Sequence, residues 1–175
     1  PESRAYFNAI DYMIEEEKMA VIIQEVIGNE HNGRYYPEIS GVAQSYNFYP
    51  FSYIQPEDGF AVTAIGLGAY VVGGEKTHRF SPAYPKLQLA STQDKIKASQ
   101  RYFYGVNMLA QDYDLYRDGE NAAIKAYDIS EAERDGTLEY TASVYDFMND
   151  HSDGIRYLDG KENESGAMRI TDYNR

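Results

Sequence analysis

The sequence predicts an α+β fold with a mixed, mostly antiparallel sheet and a few helices. Residues 19–27 form a nearly continuous β-branched apolar run, which is typical of a strand buried on both faces. Asn32-Gly33 is a pair that favours a hairpin turn, and residues 1–18 show the apolar spacing of a helix. With 175 residues, 43% apolar and 25% charged, the chain has the composition of one ordinary globular domain.

The composition also argues against some classes of binding partner. The net charge is −12, whereas a nucleic-acid binder normally has a basic face and an anionic membrane repels an acidic chain. No apolar run approaches the ~20 residues of a membrane helix, and no signal peptide is visible. We therefore expect no nucleic acid and no membrane as partners, and a cytoplasmic location. The 18 tyrosines predict broad half-exposed sheet faces or an interface.

The first half of the chain predicts a hairpin and a second strand. The helix over 1–18 precedes an antiparallel hairpin that spans residues 20–47, and the strand over 19–27 is the first arm of that hairpin. An aromatic loop follows, and residues 59–65 form the next strand. Gln24 and Glu25 interrupt the apolar run, so they either meet a ligand or mark where the strand reaches solvent.

A glycine-rich stretch at residues 66–74 follows that strand. It contains Gly66, Gly68, Gly73 and Gly74. A strand that runs into such a turn is one way to build a phosphate cradle, although most such turns bind nothing. Arg79 lies five residues beyond the stretch. It is either a phosphate contact or a surface arginine paired with one of the many acids.

The second half predicts shorter elements, and no repeat or long linker divides the chain. We expect one compact unit over residues 1–175. Its predicted elements are a helix at 92–99 capped by Ser91, strands at 101–109 and 121–129, a helical turn with a capping box from Ser130 to Glu133, a half-buried alternating strand at 138–144, and strands at 155–158 and 167–173.

Most catalytic patterns are missing from the sequence. The three histidines are far apart in sequence, and residues 146–154 lack the ligand spacing of a calcium loop. The chain has no cysteine, no Gly-x-Ser-x-Gly and no Walker A pattern. No residue is therefore predicted to be catalytic, and no metal ligand is predicted.

Three segments together resemble a known family. Residues 19–28, 39–47 and 66–74 are similar, in order and spacing, to the N-terminal ATP-binding domain of phosphoenolpyruvate synthase and pyruvate phosphate dikinase. That family has a Val-Gln-x-Met-Val strand, then Ser-Gly-Val-Ala-Phe-Thr-Arg-Asn-Pro, then Gly-Leu-Gly-Glu-x-x-Val-x-Gly. The resemblance covers residues 19–82, and residues 169–173 are similar to a strand near that domain's end.

The resemblance implies the second lobe of an ATP-grasp fold, in a parent enzyme that makes phosphoenolpyruvate from pyruvate and ATP through a phosphohistidine. The first lobe, the phosphohistidine domain and the phosphoenolpyruvate-binding domain have no counterpart in this chain. The chain begins at Pro1, which fits an excised piece, and we expect the isolated chain to be inactive. The implied nucleotide site consists of Gln24, Glu25, Val26 and Ile27 against adenine, Gly66 and Gly68 facing the phosphates, and Arg79 beyond the turn.

Three positions depart from the family pattern. Ala69 replaces the glutamate that would bind Mg²⁺, and a methyl group offers no oxygen ligand. Tyr46 and Phe48 replace the Arg and the Pro of Thr-Arg-Asn-Pro. Two hypotheses follow: a nucleotide-binding lobe that uses ATP and Mg²⁺, or a non-catalytic regulatory or interaction module with a degenerate site. A Tyr-rich interaction domain unrelated to ATP is a third.

Overall fold

The fold is α+β, as the sequence predicts. The computed structural model describes residues 20–77, 79–87, 90–111, 114–146, 148, 151–155 and 167–170. Every strand pairing among them is antiparallel, and the strands form one sheet of four strands and two sheets of three strands. Within the described part of the chain, no helix has the length and apolar character needed to cross a membrane.

The elements are short. The strands are β1 Asn29–His31, β2 Arg34–Tyr36, β3 Ser40–Gln44, β4 Phe60–Ala64, β5 Arg79–Phe80, β6 Tyr102–Asn107, β7 Ile124–Asp128, β8 Ser143–Asp146, β9 His151–Ile155 and β10 Ala167–Ile170. The three sheets have the strand orders β1-β2-β6-β7, β3-β4-β5 and β10-β8-β9. The α-helices are α1 Ala69–Val72, α2 Thr92–Ala98, α3 Leu115–Asp118 and α4 Ile129–Arg134. Single turns of 3₁₀-helix lie at Pro56–Asp58, Gly119–Ala122 and Thr137–Glu139.

The Asn32-Gly33 turn is confirmed. Both residues have positive φ, 50° and 78°, which is the backbone of a type I′ hairpin turn. The turn joins β1 to β2, with Asn29 opposite Tyr36. β2 then pairs with β6, so this hairpin forms one edge of the four-stranded sheet.

The core lies where this sheet meets α4. Tyr36, Ile65 and Phe103 are fully buried, and the rings of Tyr36 and Phe103 lie 4.5 Å apart. Ala132 of α4 and Leu138 of the following 3₁₀ turn complete the cluster. Complete burial of such rings contributes about 1.5–3 kcal/mol each relative to exposure.

A buried carboxylate ties the hairpin to the end of α4. The Asp135 side chain is fully buried, and it accepts hydrogen bonds from Arg34 Nη2 at 2.7 Å, Tyr36 Oη at 2.7 Å and Asn32 Nδ2 at 2.8 Å. Burial raises the pKa of Asp135, but these hydrogen bonds outweigh it, so the pKa lies below its ordinary value. The carboxylate is therefore charged and satisfied by the fold itself.

The prediction of a buried strand at residues 19–27 is wrong for residues 20–27. These residues form no strand, and Val21 and Ile23 are 82% and 92% exposed. Continuing the hairpin register past Asn29 would place Gly28 opposite Pro37. Pairing with β2 stops before that position, so residues 20–27 have no partner strand among the described residues and remain exposed.

For the same reason the predicted hairpin over 20–47 is wrong. The ladder ends at Asn29 and Tyr36, and β3 belongs to a different sheet, where Val42 pairs with Val62 of β4. One edge of β3 therefore has no strand partner among the described residues. The predicted helix at 1–18 lies outside the described residues.

Two predictions in the second half need correction. The alternating strand at 138–144 is wrong, because Thr137 Oγ1 donates to the Ala132 carbonyl at 3.1 Å and the chain forms a 3₁₀ turn there. β8 begins only at Ser143, and its first residues are buried without alternation. The predicted capping box is also wrong, since Asp128, not Ser130, caps α4.

Three further predictions are confirmed, in full or in part. Ser91 caps α2 as predicted, with its side chain accepting from Asp94 N at 3.2 Å. The strand predicted at 101–109 is confirmed in β6, and β7 occupies the end of the segment predicted at 121–129.

Candidate functional site

The glycine-rich turn packs tightly against β6. Gly66 has φ +83° and is buried, and a Cβ there would lie 2.6 Å from the Tyr104 carbonyl oxygen. Leu67 N donates to that same carbonyl at 2.8 Å. Because the Gly66 N–H already donates to Pro37, this residue serves the packing of the turn, and its amide is not available to a phosphate.

Gly68 lies in a different environment. It precedes α1, its carbonyl accepts from Val71 N and Val72 N at 3.0 Å, and a Cβ there would meet no atom within 4 Å. α1 is held down by Tyr70, whose ring lies 5.3 Å from that of Tyr102. Of the two glycines predicted to face phosphates, Gly68 alone faces open space.

The predicted adenine segment belongs to no helix or strand and is open to solvent. Residues 24–27 are exposed, and their one described polar contact is the Tyr35 hydroxyl, which donates to the Val26 carbonyl at 3.0 Å. Among the described residues, no hydrogen bond or ring contact joins this segment to Gly68 or Arg79. Within the described part of the chain, this segment therefore has no direct contact with the other predicted site residues.

Arg79 borders a cavity at the end of β5. Its guanidinium lies 3.6 Å from the centroid of the Phe60 ring, and Nη2 donates to Asn47 Oδ1. No carboxylate among the described residues pairs with it. The cavity has a volume of about 170 Å³ and is lined by Asn47, Phe51, Ile54, Phe60, Arg79, Phe80, Ser81 and Ala90.

Asn47 organises the loop beside this cavity. It is 2% exposed, its N–H donates to the Pro56 carbonyl at 2.7 Å, and its Oδ1 also accepts from Tyr49 N at 3.1 Å. The sequence prediction did not include Asn47 among the site residues. The signal was present, since Asn47 occupies the Asn position of the family's Thr-Arg-Asn-Pro.

Ser81 supplies a second polar group that sequence reasoning missed. It is 3% exposed, and its Oγ has no hydrogen-bond partner among the described residues. Leaving a buried hydroxyl unpaired costs about 1–3 kcal/mol. The cavity thus combines a guanidinium, an amide and an unpaired hydroxyl with mainly apolar walls, which suits an anion that has an apolar body.

The residues do not fit the family's metal. Within the described residues, no group of three or more metal-binding side chains comes together. The methyl group of Ala69 stands where the family has its glutamate, so this turn offers no carboxylate oxygen to Mg²⁺.

No protein-family model, curated protein or solved structure matches this chain. Its function is therefore inferred from the sequence motifs and from the geometry of the turn and the cavity.

Proposed function

We propose that this chain is the nucleotide-binding portion of a cytoplasmic phosphotransferase of the phosphoenolpyruvate synthase and pyruvate phosphate dikinase type. The observation that carries the proposal is the state of Arg79. The resemblance assigns it to the phosphate side of the site, and it is a cation without a carboxylate partner among the described residues, held by Asn47. A phosphoryl-transfer site needs such cations to balance phosphate charge.

The chain's own residues would divide the nucleotide between them. Arg79 would donate to phosphate oxygens, and Gly68 would allow the phosphates to approach the backbone closely. Residues 24–27 would read the adenine edge through backbone groups and flank its ring with Val26 and Ile27. These residues are exposed and belong to no helix or strand, so their backbone N–H and C=O groups are not used by a helix or a ladder.

In the proposed enzyme the first ATP-grasp lobe, the phosphohistidine domain and the phosphoenolpyruvate-binding domain are the partners of this lobe. They would complete the conversion of ATP and pyruvate to phosphoenolpyruvate. Because half of the cleft belongs to the other lobe, the isolated chain should be inactive and bind ATP weakly. Any Mg²⁺ would need oxygens from the nucleotide and from other parts of the enzyme.

A thermal-shift titration of the full-length protein with ATP, with and without Mg²⁺, tests the proposal. ATP should raise the Tm, and Arg79→Met should weaken ATP binding by about tenfold or more, since it removes a charge-assisted contact. Arg101→Met is the matched control, because it removes the same charge at an exposed position away from the cavity. A folded protein whose Tm does not respond to ATP would overturn the proposal.

A non-catalytic regulatory or interaction module is the second candidate. The loop that leads from Asn47 exposes several large aromatic side chains, and such surface favours a protein contact. These are Phe48 at 73%, Tyr49 at 75%, and Phe51 and Tyr53 at 56% each. Ala69→Glu separates the candidates: a gain in Mg²⁺-dependent ATP binding favours the enzyme, and no gain favours the module.

A further inference from the structure

We propose that the Arg79 cavity binds a small monocarboxylate with an aromatic or branched apolar body. The Arg79 cavity is the one lined by Asn47, Phe51, Ile54, Phe60, Arg79, Phe80, Ser81 and Ala90. The inference goes beyond nucleotide binding and does not depend on it.

The volume selects a ligand about the size of one ring. Pockets for drug-sized ligands enclose about 300–1,000 Å³, whereas an apolar cavity of about 150 Å³ holds benzene. At about 170 Å³ the cavity is too small for a nucleotide. It accommodates a single six-membered ring or a branched chain of similar bulk.

The walls select an apolar body. Phe51, Phe60 and Phe80 supply three aromatic side chains, and Ile54 and Ala90 are the other apolar residues of the described lining. Apolar surface gains free energy when it leaves water, in proportion to its area. A ligand without an apolar body would bury its charge against these walls without that gain.

The polar end selects an anion. Arg79 has five N–H donors, of which the described contacts use one, and a guanidinium binds a carboxylate through two parallel hydrogen bonds. Asn47 Oδ1 accepts from both Arg79 and Tyr49 N, which leaves its Nδ2 to donate. The Ser81 hydroxyl is a further donor without a partner.

Carboxylate fits these donors better than phosphate does. A phosphate carries more charge, loses more hydration on burial and offers the aromatic walls nothing. A monocarboxylate joined to a ring would pair with the Arg79 guanidinium, with the Ser81 hydroxyl as a further donor on the same lining, while its body fills the apolar part of the cavity.

Binding of benzoate to the full-length protein, measured by calorimetry, tests the inference. Benzyl alcohol is the neutral isostere and inorganic phosphate is the anion without a body. Benzoate should bind at least about tenfold more tightly than either. Equal binding of phosphate would reveal a site for charge alone, and equal binding of benzyl alcohol would reveal a merely apolar cavity. Either result would overturn the inference.

Asn47→Asp is the sharpest variant. The aspartate keeps the oxygen that accepts from Arg79 and Tyr49 N, but it gives Arg79 an internal carboxylate. Benzoate affinity should fall by about tenfold or more, with little change in Tm. Undiminished affinity in a folded Asn47→Asp protein would contradict the proposed role of Arg79.

Two milder variants apply if Asn47→Asp does not fold. Ser81→Ala should weaken benzoate about fivefold through the loss of one hydrogen bond. Arg79→Lys should weaken it about tenfold, because it keeps the charge but loses the fork. Arg101→Met should leave the affinity for benzoate unchanged. If Arg101→Met weakened benzoate as much as Ser81→Ala and Arg79→Lys do, that result would contradict binding in the Arg79 cavity.

An ATP titration of the same samples separates this inference from the proposed function. ATP binding without benzoate binding would sink the monocarboxylate site and leave the nucleotide function intact. Benzoate binding without ATP binding would support the monocarboxylate site and contradict the nucleotide function.

Discussion

Arg34 and Arg79 lie on strands of different sheets, and their guanidinium groups have different partners. Arg34 is 14% exposed in its side chain, donates twice to Asp135 and lies 3.1 Å from Glu131. Arg79 donates to the neutral amide of Asn47 and stacks on Phe60. The charge of Arg34 is balanced within the protein, whereas that of Arg79 is not balanced by any described residue. One arginine therefore holds the fold, and the other is available for a ligand.

The ionisation of the surrounding groups fits this difference. The hydrogen bond to Asp135 raises the pKa of Arg34 despite its burial, and burial raises the pKa of Tyr36. The network around Asp135 thus has a fixed charge pattern near neutral pH. A network that is already satisfied in this way has little to offer a ligand.

Replacing each of the two arginines by methionine should lower the free energy of unfolding far more at Arg34 than at Arg79. Arg34→Met leaves the buried Asp135 carboxylate without its cation, and the free energy of unfolding should fall by about 3–5 kcal/mol. Urea denaturation followed by circular dichroism measures it. In the double variant with Asp135→Leu the loss should be smaller, because no unpaired charge remains buried. A loss below about 1 kcal/mol in Arg34→Met would show that the pair is not structural.

Gly66 and Gly68 also differ in their role, since Gly66 packs within the fold and Gly68 faces open space. Gly66→Ala places a Cβ 2.6 Å from a backbone oxygen at φ +83°, and should cost about 2–3 kcal/mol. Gly68→Ala meets open space at φ −58° and is the matched control, which should be near neutral or slightly stabilising. Equal effects of the two substitutions in thermal unfolding would contradict the packing role of Gly66.

The Asp135 network should also give stability a pH dependence. Because the folded pKa of Asp135 is lowered, its contribution is present above the ordinary value of 3.8 and is lost as pH falls below it. Because the folded pKa of Tyr36 is raised, its contribution is present below 10.0 and is lost as pH rises above it. Urea midpoints measured from pH 2.5 to 11 follow both limbs, and Asp135→Asn should flatten the acid limb.

Arg79→Met should have the smallest effect on stability. It removes a cation–π contact and one hydrogen bond, so the free energy of unfolding should change by about 1 kcal/mol or less. Its effect should appear in ligand binding instead. A loss as large as that of Arg34→Met would place Arg79 in the scaffold and remove the distinction between the two residues.

Local signals in the sequence were read correctly where local chemistry decides the structure. The Asn32-Gly33 turn and the Ser91 cap depend on residues within a few positions of one another, and both are present. The run at residues 20–27 depends on a partner strand. The ladder of β1 and β2 ends before the run, at Asn29 and Tyr36, and composition alone cannot reveal that no described strand pairs with residues 20–27.

The candidate site was predictable only in part. The motif spacing places Arg79 beyond the turn but leaves open whether an acid pairs with it, and Asn47 stands at a family position. The unpaired hydroxyl of Ser81 and the three phenylalanine walls depend on how the loop after Asn47 folds against β5. Gly66 was expected to face phosphate, but its amide donates to Pro37, a contact that no spacing indicates.

The most direct measurement is NMR of the arginine side-chain Nε–H groups in the ¹⁵N-labelled full-length protein. Arg79→Lys and Arg34→Lys identify the two signals by their loss. On addition of benzoate, and separately of ATP, the Arg79 signal should shift in a saturable way while the Arg34 signal stays in place. An Arg79 signal that neither compound moves, or an Arg34 signal that moves equally, would contradict the assignment of Arg79 as the ligand-binding arginine.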